Sequence, residues 1–328
     1  MVKITDVAKK AGVAKSTVSN VLTGNKFVSE ELKKKVLDAC RELDFQPNFY
    51  ASGLSNKKTN IIALLLEATE EVANYPFYKD LILSCLMECS RNGYRLLVYY
   101  ESDEEKLLKT LRQGLAPIDG AILMTPNVND ERLEQMQNNR IACVVLGRPA
   151  TDNISSVDID NGKLVESVAQ DLIRNYGTDI YLINSRGDLT ISYDRKAAFC
   201  KVCEQHDIRQ DRVYEITKDS TEESYSFALE NAKRNSVFLT ANENAAAGVY
   251  QACADKGLKV GQDVAVFALG RSIEHGKFDP PLSYAYQNYE VLGKMAAAAL
   301  IKEIENGEVN RTLVNSEIRF RASTQKMR

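Results

Sequence analysis

Residues 3–25, KITDVAKKAGVAKSTVSNVLTGN, constrain this chain more than any other stretch, because they hold two helical patterns too short to be stable alone. Ile4, Val7, Ala8 and Ala11 recur at the three- and four-residue spacing of one helical face. Gly12 breaks the pattern, and Val18, Val21 and Leu22 rebuild an apolar face on a second helix. The two faces must pack on each other. Left outside on the second helix are Lys15, Ser16, Thr17, Ser19 and Asn20, short hydrogen-bonding side chains and one cation. Such a surface suits the major groove of DNA, where base edges are read by side chains without bulky neighbours, and the geometry is that of a helix-turn-helix whose second helix is the reader.

Charge supports a nucleic-acid partner only through its distribution. The net charge is −3, but residues 1–60 carry eleven Lys/Arg against six acids, or +5, which leaves −8 on the remainder. A basic head on an acidic body holds phosphate with one end and keeps the other end off it. The chain of 328 residues suits two or three domains, and its 44% hydrophobic and 27% charged residues are those of an ordinary soluble protein. The longest apolar run, about residues 61–66, is far short of the roughly 20 residues that span a bilayer. Residues 1–25 have no signal-peptide pattern, so a cytoplasmic protein is expected. Seven scattered cysteines read as reduced, buried thiols. Cys200, Cys203 and His206 would line one face of a helix at metal-like spacing, but no fourth ligand follows, and neither a metal nor a cofactor is expected.

Behind the reader helix, Ser29 is the expected N-cap of a third helix with an apolar face of Leu32, Val36, Ala39, Cys40 and Leu43. Lys33, Lys34 and Lys35 read as its solvated side. Pro47 ends that region, and Asn48 can cap a short helix to about residue 56 that is marginal in water. From residue 59 the pattern alternates between near-continuous apolar strands (61–66, 95–100, 120–124, 142–146, 180–184, 213–215, 236–240, 263–268) and helices (77–93, 103–113, 129–138, 162–175, 193–206, 223–232, 244–256), which means parallel sheets covered on both faces. No Gly-x-Gly-x-x-Gly follows a strand and no Walker loop is present, so a cleft-type binder fits better than a nucleotide fold.

The run D-V-A-K-x-A-G-V-x-x-x-T-V-S-x-V-L, here Asp6 to Leu22, closely resembles the DNA-binding head of LacI/GalR-type transcriptional repressors. The likeness continues through Val157-Asp158-Ile159-Asp160-Asn161-Gly162, Thr240-Ala241-Asn242-Glu243, Pro280-Pro281-Leu282 with Gln287, and Arg319 to Ser323. It implies an all-α helix-turn-helix head plus hinge helix over residues 1–58. Residues 59–328 follow as a two-lobed α/β, periplasmic-binding-protein-like (type I) effector and dimerisation domain with parallel sheets. The first lobe takes about 59–157 and 288–314, the second about 158–287 and 315–328, and the chain crosses between them three times. In the family the hinge reads P-N-x-x-A-R-S-L and its leucine, here Leu54, wedges into the minor groove. This chain has Ser52 and Gly53 in place of the Arg and Ser, and the glycine costs about 1 kcal/mol of helix propensity.

By the same resemblance Lys15, Ser16 and Asn20 lie nearest the bases of a pseudopalindromic operator, Thr17 and Ser19 touch phosphate, and Asn48 and Leu54 belong to the hinge. The carry-over also gives Arg195, Asn242, Gln287, Phe77 and Tyr78 as effector contacts. Where the family has an acid pair after a strand, this chain has Gly270 and Arg271, so a sugar acid or phosphorylated sugar is expected in place of a neutral sugar. The function implied is that of a homodimeric repressor controlled by a small-molecule effector. A protein corepressor is an open alternative. A cleft enzyme is weighed against by the presence of only two histidines and the lack of a Gly-x-Ser-x-Gly elbow, and a transport binder has no use for the basic head.

Overall fold

The computed structural model describes residues 2–23, 27–45, 58–67, 76–101, 109, 118–217, 220–271 and 278–325. The expected hinge helix therefore lies outside the described residues, as does the helix expected over 103–113 apart from Lys109, which is helical. The chain divides into two compact units, Met1–Thr59 and Asn60–Arg328.

The first unit is three helices: α1 (Ile4–Ala11), α2 (Lys15–Thr23) and α3 (Glu30–Glu42). Asp6 fixes the start of α1 by accepting the Lys3 backbone N–H at 2.8 Å. Gly12 ends it in the left-handed conformation, φ +67, which a side chain would oppose. Val7, Ala8, Val18, Val36 and Ala39 form the core, with Ile4, Ala11, Val21, Leu22, Cys40 and Leu43 packed around it. Ser29 stands at the N-cap of α3, but its side chain makes no capping bond; the acids Glu30 and Glu31 complement that helix end and reach Lys33 and Lys35.

The second unit holds two six-stranded sheets. The first contains β1 (Ile61–Glu67), β2 (Arg95–Glu101), β3 (Gly120–Met124), β4 (Ala142–Leu146), β5 (Ser155–Ile159) and β11 (Arg311–Val314), ordered β11-β5-β4-β3-β1-β2 and parallel throughout. The second contains β6 (Ile180–Asn184), β7 (Val213–Glu215), β8 (Val237–Thr240), β9 (Ala265–Arg271), β10 (Ser283–Tyr286) and β12 (Glu317–Arg319), ordered β12-β10-β9-β8-β6-β7. In this second sheet only the β10–β12 pair is antiparallel.

Helices cover both faces of each sheet, which is why the strands read as unbroken apolar runs. On β1, Ile62, Leu64 and Leu66 join one core with α4 (Pro76–Arg91) and α10 (Tyr289–Asn306), while Ala63 and Leu65 face a second core with α5 (Glu131–Asn138). In the second lobe α6 (Asn161–Tyr176) and α7 (Thr190–Gln205) cover one face and α8 (Ser220–Asn231) and α9 (Glu243–Asp255) the other. Helix α10 approaches α4 so closely that a Cβ at Gly293 would stand 2.2 Å from Ser84 Oγ and 2.6 Å from the Leu81 carbonyl.

The chain passes between lobes at Asp160, at Gln287–Asn288 and at Asn315–Ser316, so each lobe is completed by distant sequence. Four strands, β5, β10, β11 and β12, lie beside these crossings and were not expected as strands. Their sequences SSVDI, SYAY, RTLV and EIR lack the apolar run that marks the others. Helix α7 begins at Thr190, earlier than expected, because the Thr190 N–H and hydroxyl both reach the Pro126 carbonyl in the other lobe, at 3.0 and 3.3 Å.

Candidate functional site

On the head, Val18 is fully buried and fixes the roll of α2 about its axis. That roll leaves Lys15 and Ser16 exposed at the first turn and Thr17, Ser19 and Asn20 half-buried beside them. Helix α2 has no acid in its first turn, so its N-terminal dipole and Lys15 present one positive edge. Asn48 and Leu54 lie outside the described residues.

The second candidate site is built on the carboxyl ends of strands in the other unit, where α/β folds place their ligands. Arg195, on the first turns of α7, is buried, with 2% of its surface exposed. Its Nε donates to Asn161 Oδ1 at 3.0 Å, Nη1 to the Ala241 carbonyl at 3.2 Å and Nη2 to the Leu269 carbonyl at 3.5 Å. All three acceptors are neutral. Burial pulls the guanidinium down to about 10, even though Asp158 and Tyr289 favour its charge.

Gln287, also buried, donates from Nε2 to the same Leu269 carbonyl at 3.2 Å and accepts from the Tyr289 hydroxyl. Burial, with Tyr78 nearby, raises the Tyr289 hydroxyl and keeps it protonated. Asn242 follows Ala241 and caps α9, its Oδ1 accepting from the Ala245 N–H at 2.9 Å. Arg195, Gln287 and the Ala241–Asn242 turn therefore converge, and Tyr78 joins them through Tyr289. The side chains of Phe77 and Arg271 lie outside the described residues. Gly270 stands beside the cluster: a Cβ there would meet Gln287 Nε2 at 3.2 Å and the Ala241 carbonyl at 3.4 Å.

Three neighbours of this cluster carry charge or orientation that the sequence did not assign to it. Asn161, second in the Asp160-Asn161 pair, holds Arg195 and donates from Nδ2 to the Ile159 carbonyl at 3.1 Å, whereas Asp160 only caps α6 through the Lys163 N–H. Asp158 accepts the Ile159 N–H at 2.7 Å, and burial above all pushes its carboxyl up to about 6. Asp194, next to Arg195, is gripped by Arg148 of the other lobe. The V-x-x-D-N segment was the only signal that could have drawn attention to Asn161.

The possible metal triplet dissolves. Cys203 faces the core, where burial raises its thiol to about 11, while Cys200 is half-buried and His206 stands exposed at the C-cap of the helix. Among the described residues no group of three or more His, Cys, Asp or Glu could hold a metal ion. Among them too, no helix is long and apolar enough to cross a membrane.

Residues 3–48 match the family described as bacterial regulatory proteins, lacI family, and residues 169–324 match the periplasmic binding protein-like domain. The ribose operon repressor of Escherichia coli K12 is 31% identical over 315 residues, covering 93% of this chain and 93% of that protein. The repressor PurR of Actinobacillus pleuropneumoniae serotype 3 is 28% identical over 312 residues, covering 93% and 92%. Among solved structures, the lac repressor dimer bound to operator and the anti-inducer ONPF has a TM-score of 0.82 at 21% identity, covering 99% of each chain. The regulator CelR in complex with cellobiose has a TM-score of 0.72 at 22% identity, covering 98% of this chain and all of the other. Three-helix head, paired parallel sheets, end-to-end likeness to the ribose operon repressor: the chain belongs to the LacI family of transcriptional repressors, with a DNA-binding helix-turn-helix head and a two-lobed ligand-binding domain.

Proposed function

We propose that this repressor acts as a homodimer on a pseudopalindromic operator and that its effector is an anionic sugar derivative, a sugar acid or phosphorylated sugar, held between the lobes. The observation that carries the ligand class is Arg195. A buried guanidinium whose described hydrogen-bond partners are all neutral oxygens has Asp158 nearby but makes no ion pair among the described residues, so it is short of a directly bonded counter-charge, and burying an unpaired charge is costly. A carboxylate or phosphate on the ligand supplies that charge, and Arg195 retains donors for it beyond the three in use. Gly270 adds to the argument by withholding the acid that the family places there, and Arg271 follows it with a cation. Asn184 Oδ1 and Ser192 Oγ, buried near the first turn of α7 without hydrogen-bond partners, suit hydroxyl groups of a sugar. The ribose operon repressor and the CelR–cellobiose complex are carbohydrate-linked by name, in keeping with a sugar skeleton.

The dimer reading rests on the first lobe. Leu83, Leu86 and Met87 on α4 and Leu97, Val98 and Tyr100 on the edge strand β2 are large apolar side chains left exposed in the single chain. An apolar face of this kind marks a protein–protein interface. In a dimer, effector binding alters operator affinity through its different affinity for the two lobe arrangements.

Isothermal calorimetry against neutral sugars, their phosphates and the corresponding sugar acids tests the ligand class. Binding confined to anionic members, and weakened by Arg271→Ala, is the expected result. Tight binding of an uncharged sugar that is indifferent to Arg271→Ala would overturn it. For the DNA, selection from a random oligonucleotide pool at low salt is expected to enrich a two-fold-symmetric site, and its failure with and without those ligands removes the operator reading.

A further inference from the structure

We propose that Arg148 and Asp194 form a clasp that sets the register of the two lobes on each other. They are positioning residues, acting on the site through the helix turn that carries Arg195.

The contact is bidentate and joins separate lobes. Arg148, just after β4 in the first lobe, donates from Nε to Asp194 Oδ2 at 2.7 Å and from Nη2 to Oδ1 at 2.8 Å, on the first turns of α7 in the second lobe. A short antiparallel bridge between Asn127 and Leu189 runs beside it. There the Val128 N–H donates to the Asp188 carbonyl at 2.9 Å, and the Thr190 N–H to the Pro126 carbonyl at 3.0 Å. A fork-to-fork ion pair fixes orientation as well as distance, and the backbone bridge admits only one register.

Both jaws are stiff. In the first lobe Asp130 and Arg132 form an ion pair with side chains 1% and 6% exposed, and Arg132 Nη2 also reaches the Thr125 carbonyl at 3.2 Å. Asp130 in turn accepts the Asn127 N–H at 3.1 Å, which shapes the loop that meets α7. Gly147, immediately before Arg148, lies so close to Pro126 that a Cβ would stand 2.6 Å from the proline ring. In the second lobe Asn184 Nδ2 holds the Ser192 carbonyl at 2.8 Å, inside the turn that carries Asp194 and Arg195.

The pair is partly exposed, 41% at Arg148 and 23% at Asp194, and a solvent-facing ion pair within one element would carry little weight. What separates this one is its place: the lobes are already tethered by three chain crossings, so it closes a motion whose entropy is largely spent. Asp194 and Arg195 are adjacent, so whatever a ligand does to Arg195 is felt at the clasp, and opening the clasp moves Arg195.

Hydrogen exchange in the full-length protein, without ligand or DNA, tests this directly, because the Val128 and Thr190 amides bond only across the lobes. Wild type is expected to protect both. Arg148→Gln and Asp194→Asn are each expected to raise exchange at both amides about fivefold, leaving the strand amides Leu123 and Ile183 unchanged. The charge-swapped pair Arg148→Asp with Asp194→Arg is expected to recover much of the protection. Unchanged exchange at Val128 in the single variants overturns the proposal, since that amide belongs to neither residue. Equal acceleration at Leu123 and Ile183 overturns it too, as the pair would then stabilise the fold and not the lobe arrangement. Neither outcome bears on the ligand class, which is tested separately by calorimetry.

Discussion

Asp158→Asn should stabilise the effector domain, and by an amount that depends on pH in a defined way. Burial pushes this carboxyl from its ordinary 3.8 up to about 6, with Asp194 adding to the rise and Arg195 and Arg148 opposing it. The folded state thus prefers the protonated acid. Its contribution to stability is fully present below the unfolded value and is lost as pH rises through the folded one, the window being about pH 4 to 6. A shift of about two units corresponds to about 3 kcal/mol, the cost of keeping the carboxylate ionised in place at neutral pH. Asparagine retains the acceptor that Asp158 offers to the Ile159 N–H and removes the charge. Urea unfolding followed by far-UV circular dichroism is the assay. The variant is expected to match wild type near about pH 4 and to exceed it by about 2–3 kcal/mol near about pH 8. A difference that does not change with pH would refute the reasoning, because it would mean that Asp158 is not desolvated in the folded protein.

Val18→Ala removes a fully buried side chain from a core of five buried residues among those described, at a cost of about 2 kcal/mol, and should leave the head largely unfolded while the effector domain melts unchanged, as read by calorimetric scanning. Gly293→Ala should cost about 1–3 kcal/mol in urea unfolding by forcing α10 away from α4; Ser84→Ala should relieve it only in part, because the Leu81 carbonyl stays in place. Asn20→Ala should alter base preference across operator variants, whereas Lys33→Ala, on the solvated side of α3, should leave it unchanged. Equal selectivity of the Asn20 variant would remove that residue from the reading surface.

What could be read from the sequence depended on how locally each feature is determined. The head was legible almost residue by residue because its core joins positions within one short segment, Val7 and Ala8 to Val18 to Val36 and Ala39. Strands of continuous apolar residues announced themselves, and those at the chain crossings did not: β5 and β10 are largely buried but carry the serines Ser155, Ser156 and Ser283, and β11 and β12 include exposed residues. Arg195 could be named from its setting in Y-D-R-K-A-A-F, but not its surroundings: its three partners lie 34, 46 and 74 residues away and meet it only after the second lobe has folded. Tyr289 and Asp158 went unassigned for the same reason. Arg148 and Asp194 are ordinary charged residues in the sequence, and only the approach of one lobe to the other makes them a pair.

The two strands flanking the last crossing run in different sheets, yet only Asn315 and Ser316 separate them. The three extended steps from Val314 to Glu317 reach at most about 11 Å, so the halves of the domain cannot be drawn far apart at that end. With Asp160 and Gln287–Asn288 as the other two short crossings, next to β5 and β10, all three straps lie on one side of the domain, and a relative movement of the lobes is smallest beside β11 and β12.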